Sequence, residues 1–242
     1  MPRAFTLVDT VDTPEGPLEL RQSGERHFMI TIASRVLMTS QRTRSETVLA
    51  QLACQPIRER SAPRVLIGGL GLGFTLRAAL DVLPQKARVD VAELNPSVER
   101  WCRGPLAVLT NDAVSDPRVR VRIGDVTRPI RAAEPRVPAV SSGRERRYDA
   151  IILDLYLGPA DPKRGRIDPL FGPEILEKTH AALTPGGIYA VWSEEPNAQF
   201  EERLKRVGFA VKLEQPRGGG PRHAVYVATK KAATKRPAGK RG

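Results

Sequence analysis

Three groups of residues in this chain are of a type and spacing that could do chemistry. Gly68-Gly69-Leu70-Gly71-Leu72-Gly73 follows the apolar run Val65-Leu66-Ile67, and Leu76, Ala79, Leu80 and Leu83 then recur at helical spacing. The pattern predicts a strand, a tight turn and a helix. Glycines at 69, 71 and 73 let the backbone take positive φ and come close to a ligand, while the helix start behind them offers unpaired N–H groups. About twenty residues on, the run Val89-Asp90-Val91-Ala92 ends in Glu93, an acid placed to accept hydrogen bonds from both hydroxyls of a ribose. Asp154 closes a third run, Tyr148-Asp149-Ala150-Ile151-Ile152-Leu153, at the strand end where doubly wound sheets place their ligands. Glycine turn and spaced acid together fit an adenosine-type cofactor. The structural alternatives are a ligand-free turn for the glycines and a cap or solvated loop charge for Glu93.

The elements that must position these residues follow from periodicity. Leu18 to Arg21 and His27 to Ile32 alternate around a turn-rich linker and predict a small N-terminal β-element. Ser45 to Cys54 has helical spacing and stops before Pro56. From Arg64 onward strands and helices alternate: helix from Pro96 to Arg103, strands at 119–123 and 148–154, a proline- and arginine-rich surface loop at 134–147, a helix from Phe171 to Leu183 closed by Thr184-Pro185-Gly186-Gly187, a strand at 188–193 and a helix from Asn197 to Val207. Phe209 to Leu213 and His223 to Ala228 then follow each other with no helix between them, which predicts an antiparallel edge on an otherwise parallel sheet.

Composition narrows the class. The 242 residues are 40% hydrophobic and 27% charged, ordinary for a soluble globular chain. Without an apolar run near 18 residues or a signal-peptide core at the N-terminus, the expectation is a cytoplasmic protein with no membrane contact. Cys54 and Cys102 lack metal-ligand spacing, as do His27, His180 and His223, so both thiols are expected in the core and no metal is expected. Half of the formal charge of +12 comes from Lys230, Lys231, Lys235, Arg236, Lys240 and Arg241. This segment reads as a disordered tail whose removal should leave stability unchanged, or as an arm making weak, non-specific nucleic-acid contacts.

The ordered motifs resemble the class I S-adenosylmethionine-dependent methyltransferase fold, and more closely its spermidine synthase-like branch. The carriers are 65–73, Val91-Ala92-Glu93-Leu94-Asn95-Pro96, Asp116-Pro117-Arg118-Val119 before Gly124-Asp125-Val126, 148–154 and Leu183-Thr184-Pro185-Gly186-Gly187. The resemblance implies an α/β, Rossmann-like, doubly wound and mostly parallel seven-stranded sheet with an antiparallel C-terminal edge. It divides the chain into a β-element at 1–42, a cofactor-binding domain at 43–229 and a basic tail at 230–242. By the same resemblance Gly69, Gly71 and Gly73 would line the methionine end of S-adenosylmethionine or its decarboxylated form. Glu93 would hold the ribose, and Asp125 with Val126 the adenine, although Asp125 could instead cap the following turn. Gln41 and Glu46 match retained positions before and on the first helix.

Asp154 matches the family aspartate that deprotonates the attacking amine, and is expected to stay ionised. The match then fails. Leu155, Tyr156 and Leu157 replace the segment carrying the second, polyamine-holding aspartate; Gly71 replaces a loop aspartate, and Leu49-Ala50 a Tyr-His pair. A flexible polycation is held by carboxylates and aromatic faces, so these losses favour methyl transfer over aminopropyl transfer to a small-molecule nucleophile. The alternatives are a non-catalytic adenosine-binding scaffold and a nucleic-acid-associated methyltransferase. A homodimer stays open.

Overall fold

The computed structural model describes residues 4–41, 43–133, 147–156, 158–159, 168–216 and 223–232. The predicted loop at 134–147, Arg147 apart, Leu157 and the tail beyond residue 232 lie outside them.

The N-terminal element is a four-stranded antiparallel sheet, β1 (Thr6–Thr13), β2 (Gly16–Ser23), β3 (His27–Ile32) and β4 (Arg35–Thr39), paired in chain order. The middle strands follow the predicted alternation, burying Leu18, Leu20, Phe28, Ile30 and Ile32. The outer strands are additions to that pair: β1 is mostly exposed, and β4 is only five residues long. β1 reaches the rest of the molecule through Asp9, whose Oδ2 accepts from Trp101 Nε1 at 2.6 Å and from Arg100 at 2.7 Å. Those bonds hold the Asp9 carboxyl below its ordinary range.

Helix α1 (Arg44–Cys54) leads into the second layer, where β5 (Arg64–Gly68), α2 (Phe74–Val82), β6 (Arg88–Glu93), α3 (Pro96–Arg103), the single turn α4 (Ala107–Thr110), β7 (Val119–Ile123), α5 (Thr127–Ala133), β8 (Tyr148–Leu153), α6 (Pro173–Ala182), β9 (Leu183–Ser193), α7 (Ala198–Val207), β10 (Phe209–Glu214) and β11 (Ala224–Lys230) follow. The sheet order is β10-β11-β9-β8-β5-β6-β7. The five strands from β7 to β9 are parallel, whereas β11 runs antiparallel to both its neighbours, β9 and β10, as the missing helix between β10 and β11 requires. Helix starts follow sequence chemistry: Asn95 Oδ1 accepts from Ser97 N–H with Pro96 in the first turn, and Asn197 Oδ1 accepts from Phe200 N–H. β8 is buried along its whole length. No helix among the described residues is long and apolar enough to cross a membrane.

Two boundaries differ from expectation. Thr184-Pro185-Gly186-Gly187, predicted as a helix stop, lies within β9 because Leu183 already pairs with Tyr148 and a register shift absorbs the turn residues. Lys230, assigned to the tail, closes β11: it pairs with Phe209, and its Nζ donates to the carbonyls of His180 at 2.6 Å and Leu183 at 2.8 Å, the end of α6. Lys230→Ala is therefore expected to lower the unfolding free energy by about 1.5–3 kcal/mol, the scale of hydrogen bonds to a charged group. Truncation after Ala232 should leave it unchanged. Equilibrium urea unfolding of the two variants checks both.

Candidate functional site

The strand order reverses between β5 and β8, and at that switch point their carboxyl ends lie side by side. Gly68 pairs with Ala92 on one side and Leu153 on the other. The ladder runs one residue further, with Gly69 N–H donating to Ala92 O at 2.9 Å, Asp154 N–H to Gly68 O at 2.9 Å and Gly124 N–H to Glu93 O at 2.8 Å. Gly69, Glu93, Gly124 and Asp154 thus share one rim.

Gly69, Gly71 and Gly73 all have positive φ, at 89°, 52° and 84°. At Gly69 the reason is steric as well, since a Cβ there would stand 2.2 Å from the Asp154 carbonyl oxygen. Gly73 starts α2 with no side-chain cap. The turn is tied down by two buried groups. Glu93 accepts from Leu70 N–H at 2.9 Å and Asn95 N–H at 2.8 Å, with further backbone bonds from Gly71 and Leu94. Burial raises its carboxyl above the ordinary range despite those bonds. Cys102 Sγ donates to Gly71 O at 3.3 Å, and burial pushes its thiol up to about 12, so it is a packing and hydrogen-bonding residue.

Asp154 is partly accessible at the rim and otherwise packed about by protein. Thr75 Oγ1, from the first turn of α2, donates to its Oδ2 at 2.5 Å. Burial, with the nearby charge of Glu46 on α1, raises its pKa to about 7, only partly opposed by the Thr75 bond. The expectation of a permanently ionised Asp154 is corrected: near neutrality it stands between acid and base. β4 completes the wall, with Met38 against Gly71 and Arg35 over the Tyr156 ring, its guanidinium carbon 4.7 Å from the centroid.

The other expected residues divide. Asp125 is exposed and its Oδ1 accepts from Thr127 N–H at 2.7 Å, so the capping alternative is realised. The Val126 side chain is buried against Gly68, where it serves packing. Gln41 is exposed on a cavity of about 590 Å³ lined by Phe5, Gly24, Arg26 and His27, with no described contact to the rim. Met38, Thr75, Arg35 and Tyr156 were missed as site residues, although Thr75 lies in the strand-turn-helix stretch that carries the glycines and Tyr156 in the segment after Asp154.

No family model matches the chain. Its fold superposes on spermidine synthase from Thermotoga maritima with a TM-score of 0.68 at 17% identity, covering 93% of this chain and 72% of that one. The fold is spermidine synthase-like. A spermidine synthase in complex with the transition-state analogue AdoDATO gives a TM-score of 0.66 over the same shares at 17% identity. In sequence, the chain is 32% identical over 135 residues to a polyamine aminopropyltransferase of Prochlorococcus marinus (strain MIT 9313), covering 56% of this chain and 42% of that protein. It is 28% identical over 144 residues to one of Clostridium tetani, covering 60% and 45%. The chain thus spans under half the length of these curated relatives. The two-layer spermidine synthase-like architecture explains why β4 and α1 reach the switch-point rim.

Glu93→Ala would take the acceptor from the buried Leu70 N–H and from the part-buried Asn95 N–H, so the variant is expected to unfold at about 1–3 kcal/mol less free energy and also to bind adenosyl nucleosides more weakly. Denaturation and nucleoside titration on the same preparation separate the effects; unchanged stability would mean that Glu93 does not hold the turn.

Proposed function

We propose that this chain binds an adenosyl sulfonium and transfers an alkyl group from it to a small-molecule amine, with Asp154 as proton acceptor. The carrying observation is the position of Asp154, hydrogen-bonded to Thr75 on the rim beside the glycine turn. The residues fit such a ligand: three positive-φ glycines and an uncapped helix start leave backbone for a close approach, and the Glu93 carboxylate stands at the end of the neighbouring strand on the same rim. Gly69, Gly71 and Gly73 would face the amino-acid end, Glu93 the ribose and Asp125 the adenine edge with the carboxylate oxygen not used as a cap. When bound, the sulfonium supplies the electrophilic carbon. The protein's part is orientation of the amine and removal of its proton. An acid near pKa 7 suits that task, because it attracts a cationic amine when ionised and is basic enough to take the proton.

The names of the sequence relatives support aminopropyl transfer from decarboxylated S-adenosylmethionine as the first reading. One observation favours methyl transfer from the intact cofactor: at the position of the family's loop carboxylate stands Gly71, covered by the thioether of Met38. Gly71→Asp suits a φ of 52°, which aspartate tolerates, provided that Met38 moves. The substitution should shift preference toward the decarboxylated donor, measured as a ratio of dissociation constants; an unchanged ratio would remove residue 71 from donor selection. A protein that binds neither donor would be a scaffold.

Asp154→Asn is expected to reduce turnover about 10²–10⁴-fold with donor affinity nearly intact. In the wild type, kcat/KM should rise with pH and level off above about 7, the value for Asp154. Glu46→Gln removes a repelling charge and should move that limb to lower pH. Stability carries the opposite sign: a raised native pKa favours folding fully below the unfolded value and loses that contribution as pH rises through about 7. Asp154→Asn should therefore flatten the stability profile between the two values, a readout independent of turnover.

A further inference from the structure

β4 touches the rim twice. Met38 covers Gly71 and, three residues earlier, Arg35 lies over Tyr156, two residues beyond Asp154. Three strand residues span about 10 Å, so β4 bridges the rim from the glycine turn to the loop after β8. It starts from a two-residue hairpin turn, Ala33-Ser34, closed by the Ile32–Arg35 pair. Both turn residues have positive φ, 44° and 66°, a conformation that L side chains rarely adopt. Ala33 N–H holds the turn by donating to Pro17 O at 2.9 Å. Asn-Gly would form this turn without strain, so the turn is not optimised for stability alone.

Arg35 is exposed and, like several other arginines of this protein, makes no ion pair among the described residues; its seat over the Tyr156 ring, beside the rim, sets it apart. A guanidinium held over an aromatic ring keeps its five N–H donors, a fork that can grip a carboxylate in two places. On the inner side stand two carboxylates, Asp154 and Glu46. The rim is therefore bipolar, acidic within and cationic at the mouth. A polyamine would bring a further ammonium toward Arg35; an amino-acid group would match both ends.

We propose that Arg35, seated on Tyr156, binds the carboxylate of an amino-acid moiety whose cationic end lies toward Asp154. This rests on the function proposed above and extends it to the ligand class. The carboxylate has two possible sources: the methionine part of intact S-adenosylmethionine, or an acceptor that is itself an amino carboxylate.

Calorimetric titration of wild type and Arg35→Gln tests this, with circular dichroism to confirm folding of the exposed-site variant. Methylthioadenosine, which carries the adenosine and no amino acid, reads the adenosyl site alone. Failure to bind wild type would overturn the proposed function, and the amino-carboxylate arm would still judge Arg35. A donor source predicts that Arg35→Gln weakens S-adenosylmethionine at least tenfold and leaves methylthioadenosine and the decarboxylated donor within twofold. An acceptor source predicts the same loss for 4-aminobutyrate and none for 1,4-diaminobutane. Arg35→Lys, which keeps charge without the fork, should fall between wild type and Arg35→Gln. The proposal is overturned if Arg35→Gln changes carboxylate-bearing and carboxylate-free ligands equally, or changes neither.

Discussion

The site depends on a buried carboxylate used as a tie. Glu93, at the end of β6, accepts backbone N–H groups from Leu70 and Gly71 in the neighbouring strand's turn. A tight turn with several φ values in the left-handed region would otherwise leave inward-facing amides unpaired, at about 1–3 kcal/mol each. With Glu93 in place the turn can be both glycine-rich and rigid. Gly69 lies directly against the Asp154 carbonyl, so the ends of β5, β6 and β8 are packed and hydrogen-bonded to one another. A ligand on this rim meets a surface formed before it arrives, which lowers the ordering cost of binding.

The N-terminal sheet is part of the same construction. Asp9 fastens its outer strand to α3, and its last strand lies over the glycine turn through Met38. The rim thus has a floor from the parallel sheet and a wall from an element that a Rossmann-like core alone lacks. Glu46 and Thr75 come from the first turns of α1 and α2, and the two helices pack together beside β8. The ionisation of Asp154 is consequently a property of both layers: the core buries it, Glu46 opposes its charge, and Thr75 partly restores it.

What the sequence disclosed follows from which forces are local. The central strands β5 and β8 are nearly continuous apolar runs, helix starts carry Asn95-Pro96 and Asn197, and Gly69 and Gly73 mark backbone positions that other residues cannot adopt without strain. Those signals located the rim. β1 stayed hidden because an edge strand with both faces largely wet need not alternate, and β4 because five residues seldom show a period. Lys230 was grouped with neighbouring cations because charge count ignores whether an ammonium finds carbonyls to cap. The Asp154 pKa was misjudged for the same kind of reason, since dehydration and the field of a residue on another helix are tertiary quantities.

The contact between Met38 and Gly71 shows how such distant choices constrain each other. A Cβ on residue 71 would come within 2.7 Å of the Met38 methyl and 2.8 Å of its sulfur, so the two positions compete for one volume. A loop carboxylate at 71 and a thioether folded over it are mutually exclusive unless β4 shifts or the methionine turns away. Methionine is flexible enough to turn, whereas the turn backbone, held by Glu93 and Cys102, is not. The replacement of a charged contact by an apolar one at this point is therefore a two-residue character. Glycine at 71 supplies the room and methionine at 38 fills it, so an apolar thioether covers the turn where an aspartate at 71 would place a charge.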